Sequence, residues 1–404
     1  MRNYPIFTVT EKAERSIRGG HPWVYCDEIT DRQGEYANGD IVDVVSGKGK
    51  WLGAGFVNDN SKISVRVISR NTNDKFDRAF WERRIRYALD YRRTVMGDDF
   101  GSCRLIFGEA DGFPGLTVDK FEDVLVAEVL CLGIDRIKNM LFDILIGMLK
   151  ADGAVSALYE RSDSQIRELE GLEKYRGYYF KDPGLEDPGS VLINENGITY
   201  KVDYEDGQKT GFFLDQKYNR LAIRNIAKGR RVLDCFTHTG AFALNAAQAG
   251  ASKVTAVDIS ESALDSAREN AILTGLEDKV TFVQADVFDY LTALSEKGGC
   301  DYDFIILDPP AFTKSRSTIK DAIRGYREIN SKAMKLLRRG SYIATCSCSH
   351  FMTDTLFCQM LHNAAEDAGV SLRQIEERRQ SPDHPILWNV PETEYLKFYI
   401  FQIV

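Results

Sequence analysis

Hydrophobic and polar positions change rhythm three times along the chain. Over residues 1–75, short runs such as Asp40-IVDVV and Lys62-ISVRVI alternate apolar and polar side chains between turn-forming residues, which predicts a small β-rich unit. Near Phe76 the period lengthens. Phe80, Ile85, Ala88 and Leu89 recur at helical spacing, and Arg83, Arg84, Arg86, Arg92 and Arg93 occupy the remaining surface. From Arg104 to Tyr179 the pattern is strand, turn, strand, an amphipathic helix over 137–149 and a strand over 154–159, a small α+β module. Two prolines and two glycines in Lys181-DPGLEDPG then interrupt regular structure. Beyond residue 190, Glu195-Asn196-Gly197 between apolar runs signals a hairpin.

Strands follow at Arg231-VLDCF, Lys253-VTAVDI, Val280-TFVQAD, Tyr302-DFIILD, Gly340-SYIATC and Tyr395-LKFYIFQI, with helices over 261–273 and 319–337 between them. Repeated βα units of this kind predict an α/β fold with a doubly wound, mostly parallel sheet that binds ligands at the carboxyl ends of its strands. The expected division is therefore 1–75, 76–190 and 191–404, in keeping with about one domain per 150 residues.

Composition narrows the function classes. The chain of 404 residues is 44% hydrophobic and 28% charged, which excludes disordered, collagen-like and membrane-embedded readings. Its formal charge of -8 argues against binding nucleic acid by bulk charge and leaves local patches open. Eight dispersed cysteines without a C-x-x-C pair fit reduced thiols rather than a disulfide framework or structural zinc. The histidines at 21, 238, 350, 362 and 384 lack ligand spacing, so no metal is expected. The amino terminus lacks a signal-peptide pattern and no apolar run approaches the roughly 18 residues of a membrane span, so a cytoplasmic protein is expected.

Asp234, Asp258, Asp286 and Asp308 all fall at or just beyond predicted strand ends, where they would line one crevice. Any one of them alone is explained by a helix cap or a solvated loop; four in register favour a site. The loop Cys235-FTHTG carries Gly240 and no full G-x-G-x-x-G, which disfavours a dinucleotide pyrophosphate and suits a ligand with adenosine and no phosphate. S-adenosylmethionine is such a ligand, with Asp258 placed for its ribose and Asp286 for its adenine. Asp308-Pro309-Pro310-Ala311-Phe312 offers a stiffened carboxylate beside a ring, suited to a flat base or, equally, to a tight turn over a buried phenyl group. Thr345-CSCS-His350 would bring Cys346 or Cys348 to the same edge as a nucleophile, although a buried inert thiol is the commoner fate of cysteine. Between Ala311 and Gly340, nine cations (Lys314, Arg316, Lys320, Arg324, Arg327, Lys332, Lys335, Arg338 and Arg339) stand against Asp321 and Glu328, a pattern suited to phosphate contact. A solvated helix face accounts for about half of them.

Several long stretches carry a family resemblance. Arg15-SIRGGHPWVYCDEI, Arg104-LIFGEADGFPGLTVDKFEDVLV, Gly207-QKTGFFLDQKYNR and Val232-LDCFTHTGAFAL, followed by Asp258, Asp286, the DPPAF segment and the CSCS segment, are similar in order to the PUA-domain-containing 23S rRNA 5-methylcytosine methyltransferases of bacteria and archaea, members of the class I S-adenosylmethionine-dependent superfamily. The resemblance implies an amino-terminal PUA domain holding structured 23S rRNA, a methyltransferase domain over 191–404, and no membrane partner. It is compatible with a homodimer. It implies a cofactor site of Gln208, Asp215, Gln216, Asp234, Phe236, Thr237, Gly240, Asp258, Ile259, Asp286, Val287 and Asp308. Substrate contacts implied are Pro309, Pro310, Phe312, Lys314 and Arg316, with Arg18, His21 and Trp23 from the PUA part. The family's Ser-Cys-Ser context points to Cys348 as nucleophile, whereas Cys346, in a Thr-Cys-Ser context shared with other RNA cytosine methyltransferases, is the second candidate. A guanine methyltransferase without a cysteine nucleophile and a non-catalytic assembly factor are the competing readings.

Overall fold

The structure is a computed structural model that describes residues 3–151, 153, 155–185, 189–298, 300–313 and 315–404. Parts of the expected break after Lys181 and of the expected strand over 154–159 lie outside the described residues, as does Lys314. The chain folds into two compact units. One comprises 1–193, 202–214 and 382–393, and the other 194–201, 215–381 and 394–404. The segments expected as separate, 1–75 and 76–190, both fall in the first unit, and the expected start at 191 lies just before the first residue of the second.

The first unit holds two sheets. A six-stranded sheet runs in the order Trp23–Tyr25, Ile63–Ser69, Trp51–Val57, Ile41–Ser46, Ile6–Val9, Ile29–Gln33. Its alternating apolar residues, among them Phe7, Val9, Val42, Val44 and Val65, close a core with Ala13 and Ile17 of the helix Glu11–Arg18. A five-stranded sheet follows in the order Tyr175–Lys181, Ala157–Ser162, Val124–Val129, Leu116–Phe121, Ser102–Phe107. The expected helix over 137–149 begins earlier, at Leu132–Lys150, and the expected strand over 154–159 runs later, as Ala157–Ser162. The delay arises because Glu160 and Ser162 are polar but buried, where Lys138 Nζ donates to Glu160 at 2.9 Å and Ser162 Oγ donates to Glu160 at 2.8 Å.

Helix Arg78–Met96 starts at Asp77, whose carboxylate accepts from Phe80 N at 3.0 Å, and buries Phe80, Trp81, Ile85, Ala88 and Leu89. Arg92 is fully buried on the same helix. Its guanidinium takes Asp111 in a two-pronged ion pair of 2.6 and 2.7 Å and donates to the main-chain oxygens of Arg104 and Asp383. This one side chain thus ties the late segment 382–393 into the first unit.

The second unit is built on a seven-stranded sheet. Its strands are β1 (Arg231–Cys235), β2 (Lys253–Asp258), β3 (Val280–Gln284), β4 (Phe304–Leu307), β5 (Tyr342–Ser347), β6 (Leu372–Arg378) and β7 (Lys397–Ile403). They lie in the order β3-β2-β1-β4-β5-β7-β6, with β1 to β5 parallel and β7 antiparallel to both neighbours. The crossing helices are α1 (Ala241–Gln248), α2 (Glu261–Leu273), α3 (Val287–Glu296), α4 (Ile319–Leu336) and α5 (Asp354–Ala368). One face of the sheet packs on α3, α4 and α5 through Leu291, Tyr326, Met334 and Phe357. No described helix is long and apolar enough to cross a membrane.

Replacing Arg92 by methionine removes one partner of a buried charge pair and leaves Asp111 without its cation. The expected cost is about 3–5 kcal/mol of unfolding free energy, measured by denaturant titration, with Asp383 and its neighbours becoming accessible to hydrogen exchange before the rest of the first unit.

Candidate functional site

The parallel strands deliver their last residues to one edge. Asp234, near the end of β1, is fully buried; its Oδ2 accepts from Thr237 Oγ1 at 2.5 Å and from Ala243 N at 2.9 Å, and its Oδ1 has no hydrogen-bond partner among the described residues. Burial pushes this carboxyl up to about 7, and the nearby Asp308 charge adds to the rise. Asp234 therefore clasps the loop between β1 and α1 from beneath. In that loop Phe236 and His238 adopt left-handed φ values of 64° and 49°, conformations that cost roughly 1–2 kcal/mol each for residues with a Cβ. With no full G-x-G-x-x-G in this loop, Phe236 and His238 take left-handed positions that glycine would adopt without strain. Anchors offset the strain: Thr237 N donates to Val257 O at 3.0 Å and His238 N to Asp258 Oδ2 at 2.8 Å. Gly240, at φ 81°, opens α1.

Asp258 ends β2 half-buried, with Oδ1 accepting from Ser260 N at 2.9 Å. Each of its oxygens thus holds one backbone N–H and retains acceptor capacity. Ile259 beside it is 66% exposed. Asp286 follows β3 as the cap of α3, accepting from Phe288 N at 2.7 Å, and remains exposed, while Val287 is buried beneath it.

Asp308 follows β4. Its Oδ1 accepts from Gln216 Nε2 at 3.0 Å, and Gln216 in turn accepts from Asn219 Nδ2 at 2.7 Å. Burial, followed by the charge of Asp215, raises the Asp308 carboxyl to about 6. Asp215 accepts from Tyr395 OH at 2.6 Å. Pro309 is buried and Pro310 exposed. The half-buried Phe312 ring lies 4.6 Å from Tyr326 and 6.0 Å from Phe288, so it packs into the core cluster on at least one side. Lys314 and the side chain of Arg316 lie outside the described residues.

The two candidate cysteines have different surroundings. Cys346 lies within β5, fully buried, in hydrogen-bonding reach of Asp308, and burial drives its thiol well above the ordinary range. Cys348 is half-buried on the turn that follows. Three contacts fix that turn: Ser347 Oγ donates to Tyr326 OH at 3.1 Å, Ser349 Oγ donates to Thr313 O at 3.0 Å, and Lys397 Nζ donates to Ser349 O at 2.7 Å.

Lys397 escaped the sequence reading. It opens β7, pairs in register with Ser347, is 3% exposed, and also donates to Tyr395 O at 2.8 Å. Burial lowers its ammonium to about 8, and the negative charge of a Cys348 thiolate works in the opposite direction. The available signal was a lone cation in the otherwise apolar run Leu396-KFYIF.

Gln208, Arg18, His21 and Trp23 belong to the first unit, and the residues at the sheet edge belong to the second. Arg18 pairs with Glu14 at 2.5 Å, His21 Nε2 lies 3.1 Å from Glu392, and Trp23 Nε1 donates to Glu109 at 3.0 Å.

A sheet in this order, with acids closing β1, β2 and β4 around a β1–α1 loop, defines the class I methyltransferase fold, here joined to an amino-terminal β-rich unit. Residues 163–401 match the family of S-adenosylmethionine-dependent methyltransferases, and residues 7–70 match a PUA-like domain. The chain belongs to the S-adenosylmethionine-dependent methyltransferases that carry a PUA-like domain, and S-adenosylmethionine is its cofactor. It is 37% identical over 403 residues to ribosomal RNA large subunit methyltransferase I of Klebsiella pneumoniae (strain 342), with 99% of each chain covered. It is 38% identical over 393 residues to the protein of that name from Escherichia coli O157:H7, with 97% of each covered. A Streptococcus mutans structure assigned to the same methyltransferase class superposes with a TM-score of 0.83 at 21% identity, over 98% of this chain and 99% of that one. A methyltransferase solved with S-adenosylhomocysteine gives the same TM-score of 0.83.

The raised Asp234 carboxyl carries a signed prediction. A buried acid shifted from 3.8 to about 7 binds its proton more tightly in the folded than in the unfolded chain, so its contribution to stability falls as pH rises through that window. Asn cannot titrate. The stability of Asp234→Asn relative to the natural chain should therefore increase from about pH 4 to about pH 7 and level off above, as followed by denaturant titration across that range.

Proposed function

We propose that the chain transfers a methyl group from S-adenosylmethionine to C5 of a cytosine in 23S, large-subunit, ribosomal RNA through a covalent adduct with Cys348. The Ser347-Cys348-Ser349 turn carries this reading. It holds a half-buried thiol at the sheet edge, next to a buried lysine and near a carboxyl that burial raises to about 6. The ribosomal substrate is supported by the name of relatives that match over nearly the whole chain. RNA contact is supported by the PUA-like domain. This substrate assigns the reaction to the cytoplasm.

The residues at the edge fit the cofactor. Asp258 keeps lone pairs for two ribose hydroxyls, Ile259 presents an apolar surface beside it, and Asp286 offers an acceptor for an adenine amino group. Asp234, Thr237 and Gly240 shape the loop, with Phe236 on its rim. Gln216 orients Asp308, and Asp215 sits beside that pair. Bound S-adenosylmethionine supplies an electrophilic methyl group on a positively charged sulfur.

Cytosine C5 is a weak nucleophile until C6 has been attacked. Addition of the Cys348 thiolate forms an S–C6 bond, and the displaced ring electrons enrich C5 while N3 accepts a proton from Asp308. Once C5 has gained the methyl group, loss of its proton to a base expels the sulfur, and N3 returns its proton to Asp308. Lys397 stands behind the turn as a fixed positive charge favouring the thiolate. The reacting base must be unpaired or flipped from its stack to reach this edge. Pro309, Pro310 and Phe312 would border it, and Arg18, exposed on the PUA-like unit, would meet phosphate.

Labelled methyl transfer to unmodified 23S rRNA, followed by nucleoside digestion and mass spectrometry, should yield 5-methylcytidine; a methylguanosine product would sink the covalent mechanism. Cys348→Ser should lower the rate at least about a thousandfold, while Cys346→Ala keeps turnover within an order of magnitude of the natural enzyme.

A third variant tests the lysine. Lys397→Met should slow alkylation of Cys348 about tenfold near pH 7.5 and move its midpoint to higher pH, with Lys397→Arg restoring most of the rate. Peptide mass spectrometry of iodoacetamide-treated protein checks both, and an unmoved profile in folded Lys397→Met would remove the lysine from the mechanism.

A further inference from the structure

The first unit contains two adjoining clefts whose lining residues all belong to that unit. One, of about 530 Å³, is lined by residues including His21, Arg70, Arg84, Asp111 and Asn389. The other, of about 340 Å³, is bordered by Arg84, Tyr87, Tyr91, Pro385 and Leu387. Arg84, Ala110, Asp111 and Leu387 line both, so the clefts form one continuous groove.

The charges along it are unevenly committed. Asp111 is taken by Arg92; Glu109 accepts from Trp23 and lies 3.7 Å from Arg66; Glu392 faces His21; and Asp74 accepts from Ser69 and Arg83. The groove's own guanidiniums have carbonyl partners instead. Arg84 donates to Gly112 O at 2.7 Å and to Ile68 O and lies 4.5 Å over the Phe80 ring, while Arg70 donates to Ile17 O at 3.2 Å. Burial lowers Arg84 to about 10 although the charge of Asp74 works to raise it, and among the described residues no carboxylate forms an ion pair with it. Charge complementarity therefore calls for an anionic occupant.

Aromatic rings mark the rim. Tyr87 is 64% exposed, and Tyr91, one turn along the same helix, is 38% exposed. Trp388 is 98% exposed, between groove residues Leu387 and Asn389. It stands at the corner of a turn closed by Val390 N donating to Leu387 O at 2.9 Å, and Thr393 Oγ1 braces that turn by accepting from Leu387 N at 2.9 Å. An indole held in water on a braced turn forgoes the burial that normally stabilises so large an apolar side chain.

We infer that this groove binds a single-stranded segment of RNA, with Arg70 and Arg84 meeting phosphates and Tyr87 and Trp388 stacking on bases. The inference rests on the RNA-substrate reading above and adds a contact region outside the reacting nucleotide. Stacking platforms of this kind tolerate sequence, because every base presents a flat face, and the guanidiniums supply the backbone contacts.

Equilibrium binding of an oligoadenylate of about 12 nucleotides, within the usual footprint of such platforms, tests it without cofactor or turnover. RNA should quench the indole emission. Trp388→Phe should lose that quench while keeping most of the affinity, and Trp388→Ala and Tyr87→Ala should each weaken binding by about 5- to 100-fold. An RNA duplex of the same length should bind less tightly. Both side chains are exposed, so the thermal midpoint should not move. A Trp388→Ala/Tyr87→Ala protein that binds the oligonucleotide as tightly as the natural chain overturns the inference and would turn attention to a protein partner. Because no methyl transfer is read, this outcome is separable from a failure to find 5-methylcytidine in ribosomal RNA.

Discussion

Two carboxyl groups at the ends of neighbouring strands, Asp234 fully buried and Asp308 half-buried, constrain everything at the edge of the second unit. Asp234 lies opposite Ile306 in the β1–β4 pairing, two residues before Asp308, and each carboxyl is raised chiefly by burial. Taking a carboxylate out of water is costly unless donors replace the lost hydration. The surrounding chain is arranged to supply them. Thr237 and the first turn of α1 turn toward Asp234, and that inward turn obliges Phe236 and His238 to accept left-handed backbone. Gln216 is spent on Asp308 and is itself steadied by Asn219, which also donates to Arg379 O at 3.2 Å. The loop conformation and the network around Gln216 are two responses to one electrostatic problem.

The direction of the last strand matters as much. A parallel β7 would present its carboxyl end at this edge and its opening residue at the other. Because β7 runs antiparallel to β5, it begins where β5 ends, and Lys397 comes to lie in register with Ser347. A buried ammonium is then available next to a half-buried thiol with no loop rearrangement. The two serines that flank Cys348 have separate structural roles, one gripping Tyr326 of α4 and the other gripping the Thr313 backbone. The turn that carries the thiol is thereby held at three points, which suits the proposed role of Cys348 in meeting a ring carbon in one orientation.

Most strands of the second unit were legible because each alternates or runs apolar over a handful of residues between turns, and α2 matched the expected 261–273. What was hidden follows from burial that pattern cannot encode. Edge strand β6, Leu372–Arg378, is half charged and largely exposed, so it lacks an apolar face to betray it. Helix α1, with the sequence AFALNAAQ, is buried nearly all round and carries little amphipathic period. The aspartates could be found because strand ends are predictable. Their partners could not: Gln216 and Asp308 are 92 residues apart, and Lys397 gains meaning only through strand direction. A glycine count likewise missed that Phe236 and His238 can make a tight loop when two carboxylates anchor it.

A formal charge of -8 on a chain proposed to act on RNA is less paradoxical than the total suggests. Net charge governs the field at a distance and hence steering, whereas contact depends on which ions are already paired. Several acids of the first unit are committed inside it: Asp111 to Arg92, Asp119 to Arg104 at 2.8 Å, Glu160 to Lys138. Each such pair cancels much of its own field within a few ångströms and leaves the net charge unchanged, so contact with a polyanion depends on the local guanidiniums and exposed rings of the groove rather than on the chain as a whole. Association would then gain little from long-range attraction and depend on stacking together with the few phosphate contacts that placed guanidiniums make, which remain sensitive to salt. Bulk positive charge would bind every nucleic acid it met, whereas a few placed guanidiniums and aromatic faces favour an unpaired strand over a duplex.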